Sequence, residues 1–127
     1  MDASTGLQLL IVTNDPALAA RVRELEMPGV AVDTQTQTSE ALMLLESGRY
    51  AVILADQVLP GALCGHDFLL AAQQVDSEVM TVLLTDRDRA TEPGFGRFDL
   101  VVPRSTSAQK LLARILIRRE GAALGVY

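Results

Sequence analysis

Apolar and polar positions alternate along the chain with two different periods. Leu7–Thr13 is a short run dominated by Leu, Ile and Val with polar flanks, and it predicts a buried strand. Asn14-Asp15-Pro16 then supplies a helix start, with Asp15 as N-cap and Pro16 at the first helical position. Leu18, Val22 and Leu25 form the apolar stripe of that helix, and Met27-Pro28-Gly29 ends it. Val30–Thr34 predicts a second strand with polar alternation. Thr38–Glu46 predicts a helix with Ala41, Leu42 and Leu45 on one face, closed by Ser47-Gly48. The unit then repeats. Tyr50–Ala55 is the most continuously apolar strand, a Pro60-Gly61 turn leads to a helix over Asp67–Val75, and Glu78–Thr85 is a fourth strand. Pro93, Gly94 and Gly96 interrupt Asp86–Arg97, so the fourth helix is expected to be short or irregular. Leu100–Pro103 reads as a fifth strand and Ser107–Glu120 as a final helix, capped by Ser105, Thr106 or Ser107.

This alternation predicts an α/β architecture: a single doubly wound five-stranded parallel sheet with helices on both faces. The chain has 127 residues, enough for one domain, expected over 1–120, with 121–127 as a tail or the start of a linker. Such sheets bind ligands outside the carboxyl ends of their strands, at the point where strand order reverses. Six residues fall there: Thr13, Asn14 and Asp15 after strand one, Asp56 after strand three, Thr85 after strand four and Arg104 after strand five.

Composition narrows the chemistry. Eleven basic residues against sixteen acidic ones give a net charge of −5, which argues against direct nucleic-acid or anionic-membrane binding. No apolar run approaches the roughly 18 residues of a membrane span. The polar, acidic start Met1–Gly6 does not read as a secretory signal. One cysteine, Cys64, excludes an intrachain disulfide and a multi-cysteine zinc site, so a cytoplasmic setting is the expectation. One histidine, His66, leaves no multi-histidine metal site. Both precede or open the third helix and read as packing and helix-start residues.

The polar residues at the strand ends carry a resemblance. Asp56-Gln57-Val58-Leu59-Pro60-Gly61 and Leu83-Leu84-Thr85, in that order and spacing, make Leu7–Glu120 similar to the receiver domain of bacterial response regulators. The resemblance implies the flavodoxin-like receiver fold, Asp56 as phosphoacceptor and Thr85 as the switch hydroxyl. It also implies Arg104 in the place of the family's lysine, and a metal pocket built from Asp56, Asn14 and Asp15. A sensor histidine kinase or phosphotransfer protein would be the partner upstream, with a fused or separate output domain downstream and a homodimer as a further option.

The chain departs from the family where charge matters. The two acids after strand one are replaced by Thr13 and Asn14, Arg104 replaces Lys, and Ser105 replaces the Pro that follows it. Val101 stands where a strand-five aromatic is usual, and Gly65 is displaced by one residue, implying a small insertion around Gly61–Cys64. Mg²⁺ favours carboxylate oxygens and net negative charge. A pocket of Asp56 and Arg104 sums to zero, or to −1 with Asp15, so a weak Mg²⁺ site at most is expected. Guanidinium pairs with carboxylate as a planar fork, so Arg104 is expected to pair directly with Asp56.

Three functions are compatible with this reading: a working receiver, a phosphorylation-independent pseudo-receiver acting through interaction or dimerisation, and a small α/β nucleotide-binding or metabolic domain. The last is the weakest, because Thr13-Asn14-Asp15-Pro16 stands where a glycine-rich phosphate loop would follow strand one. An atypical signal-transduction receiver, not an enzyme, is the expectation. The site residues also have plain structural readings: Asp15 as a helix cap, Thr85 as a strand terminator and Arg104 as a surface cation. Lys110, Arg114 and Arg118 share one face of the last helix, either as a solvated stripe or as a docking surface.

Overall fold

Five strands form as their apolar runs require: β1 (Leu7–Val12), β2 (Val30–Gln35), β3 (Val52–Asp56), β4 (Met80–Thr85) and β5 (Leu100–Pro103). The computed structural model describes residues 6–59, 63–85 and 97–124, with helix backbone alone for 121–124. All neighbouring strands are parallel, in the order β2-β1-β3-β4-β5. This is the flavodoxin-like order, and it reverses direction between β1 and β3. The Pro60-Gly61 turn and the irregular helix expected after Thr85 lie outside the described residues, as does part of the insertion expected around Gly61–Cys64.

Four helices are described: α1 (Pro16–Arg23), α2 (Thr38–Leu45), α3 (Gly65–Val75) and α4 (Ala108–Leu124). Strand side chains alternate between faces, and the core divides accordingly. Leu9, Ile11, Val52, Leu54, Val82, Leu84 and Val102 pack with Leu18 and Val22 of α1 and Leu111 and Ile115 of α4. Leu10, Val12, Ile53, Ala55 and Leu83 pack with Ala41 and Leu45 of α2 and Phe68, Leu69 and Ala72 of α3. Every residue of β3 and β4 is buried, the signature of central strands covered on both sides.

Several boundaries differ from expectation for local reasons. Helix α1 stops at Arg23, and Leu25 enters the core from the turn beyond it. Strand β3 starts at Val52, because Tyr50 is buried ahead of it with its hydroxyl donating to Asp33 and accepting from Arg49. Strand β4 begins at Met80, two residues after Glu78, whose amide is held by Asp76 Oδ1 at 3.0 Å. Helix α2 ends at Leu45, closed by Gly48 at φ 72°, a left-handed position that favours glycine. Ser107 caps α4, its Oγ accepting the Lys110 amide at 3.3 Å. That helix runs on to Leu124, so the segment from Gly121 expected as a loose tail begins as helix.

Candidate functional site

The carboxyl ends of β1, β3 and β5 converge on one cluster. Thr13 extends the β1 ladder by one hydrogen bond, its amide donating to Gln35 O at 3.0 Å, and its side chain is buried beside Asp56. Asp15 caps α1 as the sequence suggests, its Oδ1 accepting the Ala17 amide at 3.0 Å. That hydrogen bond above all, opposed by desolvation and helped by the Leu18 amide and then the Arg104 guanidinium, holds the Asp15 carboxyl below the usual aspartate pKa. Asp56 ends β3 only 2% exposed. Arg104 follows β5 directly, its amide donating to Thr85 O at 2.8 Å. Its own carbonyl accepts a hydrogen bond from Arg21 of α1.

The side chains close into a ring. Thr13 Oγ1 donates to Asp56 Oδ2 at 3.0 Å and accepts the Asp15 amide at 3.0 Å. Arg104 NH2 donates to Asp56 Oδ2 at 3.1 Å and to Asp15 Oδ2 at 2.7 Å. Arg104 Nε lies 3.0 Å from Asp56 Oδ1 but off the line of a hydrogen bond, so this second contact is an ion pair rather than the other tine of a fork. The Val58 amide completes the cage at 3.3 Å from Asp56 Oδ1. Burying a carboxylate costs several kcal/mol even after relaxation, whereas one hydrogen bond to a charged group is worth about 1.5–3 kcal/mol. The Thr13 hydrogen bond alone does not offset that cost, and the guanidinium supplies the opposite charge beside the carboxylate.

The loop beyond Asp56 is fastened from below. A Cβ on Gly65 would lie 2.3 Å from the Asp56 carbonyl oxygen and 2.7 Å from Gln57 Cα, so only glycine lets α3 start this close to the site. The Gly65 amide donates to Gln57 O and the His66 amide to Gln57 Oε1, both at 3.0 Å. These contacts start α3 at Gly65 rather than Asp67. His66 lies edge-on to Phe98, with ring centroids 5.2 Å apart, and Cys64 is the free thiol at the α3 N-cap.

The structure therefore brings Asp15, Asp56 and Arg104 together with Thr13 and leaves Asn14 exposed. Thr85 is fully buried at the end of β4, and its Oγ1 has no hydrogen-bond partner among the described residues. Val101 is half-buried and packs toward the α2/α3 face. Ser105 borders a shallow cavity of about 200 Å³ with Asp15, Leu18, Arg21 and Arg104. The basic stripe on α4 is partly committed, since Arg118 pairs with Asp99 at 3.6 Å. Sequence reasoning missed two features: the Arg21 contact on the Arg104 carbonyl, and the engagement of Thr13. Arg21 carries no local signal; a hydroxyl at the end of a buried strand beside the switch point was the available hint for Thr13.

A divalent ion fits this arrangement poorly. The guanidinium occupies the space between the two carboxylates that would hold the ion. Two unit charges of like sign roughly 4 Å apart repel by about 4 kcal/mol at an effective dielectric of about 20, and a divalent ion doubles that. Among the described residues, no group of three or more His, Cys, Asp or Glu side chains is placed to hold a metal.

A buried acid at the switch point of a five-stranded flavodoxin-like sheet, paired with a cation after β5 and on the same sheet edge as a buried hydroxyl at the end of β4, is a receiver-like arrangement. Comparison with solved structures bears this out. The chain superposes on the chemotaxis response regulator CheY4 of Vibrio cholerae with a TM-score of 0.78 at 19% identity, covering 90% of this chain and 99% of that one. It matches the N-terminal domain of a response regulator/sensory box/GGDEF three-domain protein from Carboxydothermus hydrogenoformans at 0.77 and 22%, covering 94% and 99%. It matches the response regulator TrrA of Thermotoga maritima, solved in complex with Mg²⁺–BeF, at 0.77 and 22%, covering 88% and 98%. At these identities the likeness is one of fold: the chain has the fold of response regulator receiver domains.

In sequence it is 32% identical over 112 residues to the uncharacterized transcriptional regulatory protein YkoG of Bacillus subtilis (strain 168), covering 84% of this chain and 48% of the relative. The chain thus spans about half the length of the curated relative it matches. No family model matches it. Among the described residues, no helix is long and apolar enough to cross a membrane.

Proposed function

We propose that the chain is an atypical signal receiver of a two-component or phosphorelay system, working by protein–protein interaction rather than by turning over a small molecule. Asp56 is the candidate phosphoacceptor. Its partners are a sensor histidine kinase or phosphotransfer protein on one side and an output domain, fused or separate, on the other. The observation that carries this reading is the buried Asp56 carboxylate held by Arg104 at the switch point of the sheet.

The same geometry makes phosphorylation slow. For transfer, one Asp56 oxygen must attack phosphorus while the bond from phosphorus to the donor breaks and the donor leaves with its electron pair. Both oxygens are engaged by Thr13, Arg104 and Val58, so the attacking atom must first shed a partner. Phosphoryl transfer depends on positioning and on neutralising the transferring oxygens. Arg104 supplies one positive charge for that, and Asp15 already shares it. The resting form is therefore slow to accept phosphate.

Intact-mass measurement after incubation with Mg²⁺ and a small-molecule phosphodonor tests this, with Asp56→Asn as control. The expected result is a trace adduct at most in the wild type and none in the variant. Fast stoichiometric labelling of the wild type alone would make the domain an ordinary receiver. Equal labelling of Asp56→Asn would remove Asp56 as acceptor.

A further inference from the structure

We propose that Arg104 is the resident counter-ion of this pocket and excludes divalent cations from it, so that a cation site built from Asp15 and Asp56 is latent and opens only when the guanidinium is removed. Three observations converge on this. First, one terminal nitrogen of Arg104 hydrogen-bonds both carboxylates, at 2.7 Å to Asp15 and 3.1 Å to Asp56, and so spans the gap an ion would bridge. Second, the backbone of Arg104 is fixed on both sides, by its amide on Thr85 and by Arg21 on its carbonyl, which keeps the guanidinium delivered to the gap. Third, the ring closes through Thr13, whose hydroxyl donates to Asp56 and accepts from the Asp15 amide, so the two acids stay aligned with each other.

Two carboxylates around one guanidinium leave a net −1, a charge state that needs no added metal to stay folded. Two carboxylates without it leave −2, which suits a hard divalent ion that binds through one or two carboxylates and water. The side chain of Arg104 is 32% exposed, so a truncated side chain opens the gap to solvent and ion alike.

The test measures Mg²⁺ and Mn²⁺ binding by titration calorimetry, and melting with and without each ion, on wild type, Arg104→Ala and Arg104→Met. The methionine variant keeps an unbranched apolar stem and serves if the alanine variant does not fold. The expected result is a wild-type melting temperature indifferent to millimolar Mg²⁺. Both variants should melt lower in chelator, recover with Mg²⁺, and bind Mn²⁺ at least about tenfold more tightly than wild type, following removal of the repelling charge. Saturable wild-type binding as tight as that of the variants overturns the proposal, as does a variant that melts like wild type in chelator. Neither readout involves a phosphodonor, so failure here leaves the receiver reading to its own test.

Discussion

Thr81 and Thr85 stand at the two ends of β4, both fully buried, and the fold treats them in opposite ways. Thr81 Oγ1 accepts the Asp99 amide at 3.1 Å and Gln73 Nε2 at 3.4 Å, and lies 3.3 Å from Asp99 Oδ2. The same Asp99 oxygen takes the Thr81 amide at 2.9 Å. Thr85 Oγ1 has no partner among the described residues. Thr81 locks the amino edge of β5 to α3, which is structural work. An unmatched hydroxyl in a core is a cost, and Thr85 bears it at the carboxyl edge of the sheet, the edge that also holds Asp56. The two aspartates repeat the contrast: Asp99 is held by Thr81 of the neighbouring strand and by Arg118 of α4, Asp56 by side chains from two other strand ends, Thr13 after β1 and Arg104 after β5.

The sharpest way to break this contrast is to overfill the carboxyl end. Gly65→Ala places a methyl against the Asp56 and Gln57 backbone, and the loop must move; a loss of about 3 kcal/mol, the upper part of the usual overpacking range, is expected in urea unfolding. A neutral result would mean that α3 is free to slide away from Asp56. Next come the paired threonines. Thr81→Val removes a hydroxyl engaged by the half-buried Asp99 and Gln73 and should cost about 1 kcal/mol, whereas Thr85→Val loses no bond among the described residues and should stay within about 0.5 kcal/mol. Equal costs would erase the distinction between the two ends.

A smaller effect separates the ends by pH. The folded-state pKa of Asp15 is depressed by the Ala17 amide and by Arg104, so its contribution is fully present above the ordinary aspartate value and is lost as pH falls through the lowered folded value. Asn also caps helices well, so Asp15→Asn isolates the charge. The variant should be less stable than wild type at neutral pH, with the gap closing as pH falls below the ordinary aspartate value. A gap independent of pH would mean that the Asp15 charge adds nothing beyond the cap.

Much of this molecule is legible in the linear pattern. Strand β5 lies at its expected residues, β1 and β2 within one residue of theirs, and Asp15, Pro16 and Ser107 act where their chemistry places them. Pairing of Arg104 with Asp56 follows from retained opposite charges at two strand ends, and the contact is present. Reading Thr13 and Asn14 together as lost acids treats alike two residues that differ: Asn14 is exposed, while Thr13 is buried and bonded to Asp56. Their difference depends on the pleat of β1, which turns Thr13 toward the α1/α4 face shared by Asp56.

What the sequence by itself determined is what local rules govern: period, capping, turn residues, and the order in which acid, hydroxyl and cation appear. What only the tertiary structure decided is who shares whom. Thr13, Asp15, Asp56 and Arg104 come from separate segments, Asp15 and Arg104 being 89 residues apart, and whether one guanidinium reaches two carboxylates depends on strand register and on Arg21 holding the Arg104 carbonyl. Hydrogen bonds fail over tenths of an ångström and tens of degrees, and no pattern in a linear chain specifies distances at that scale.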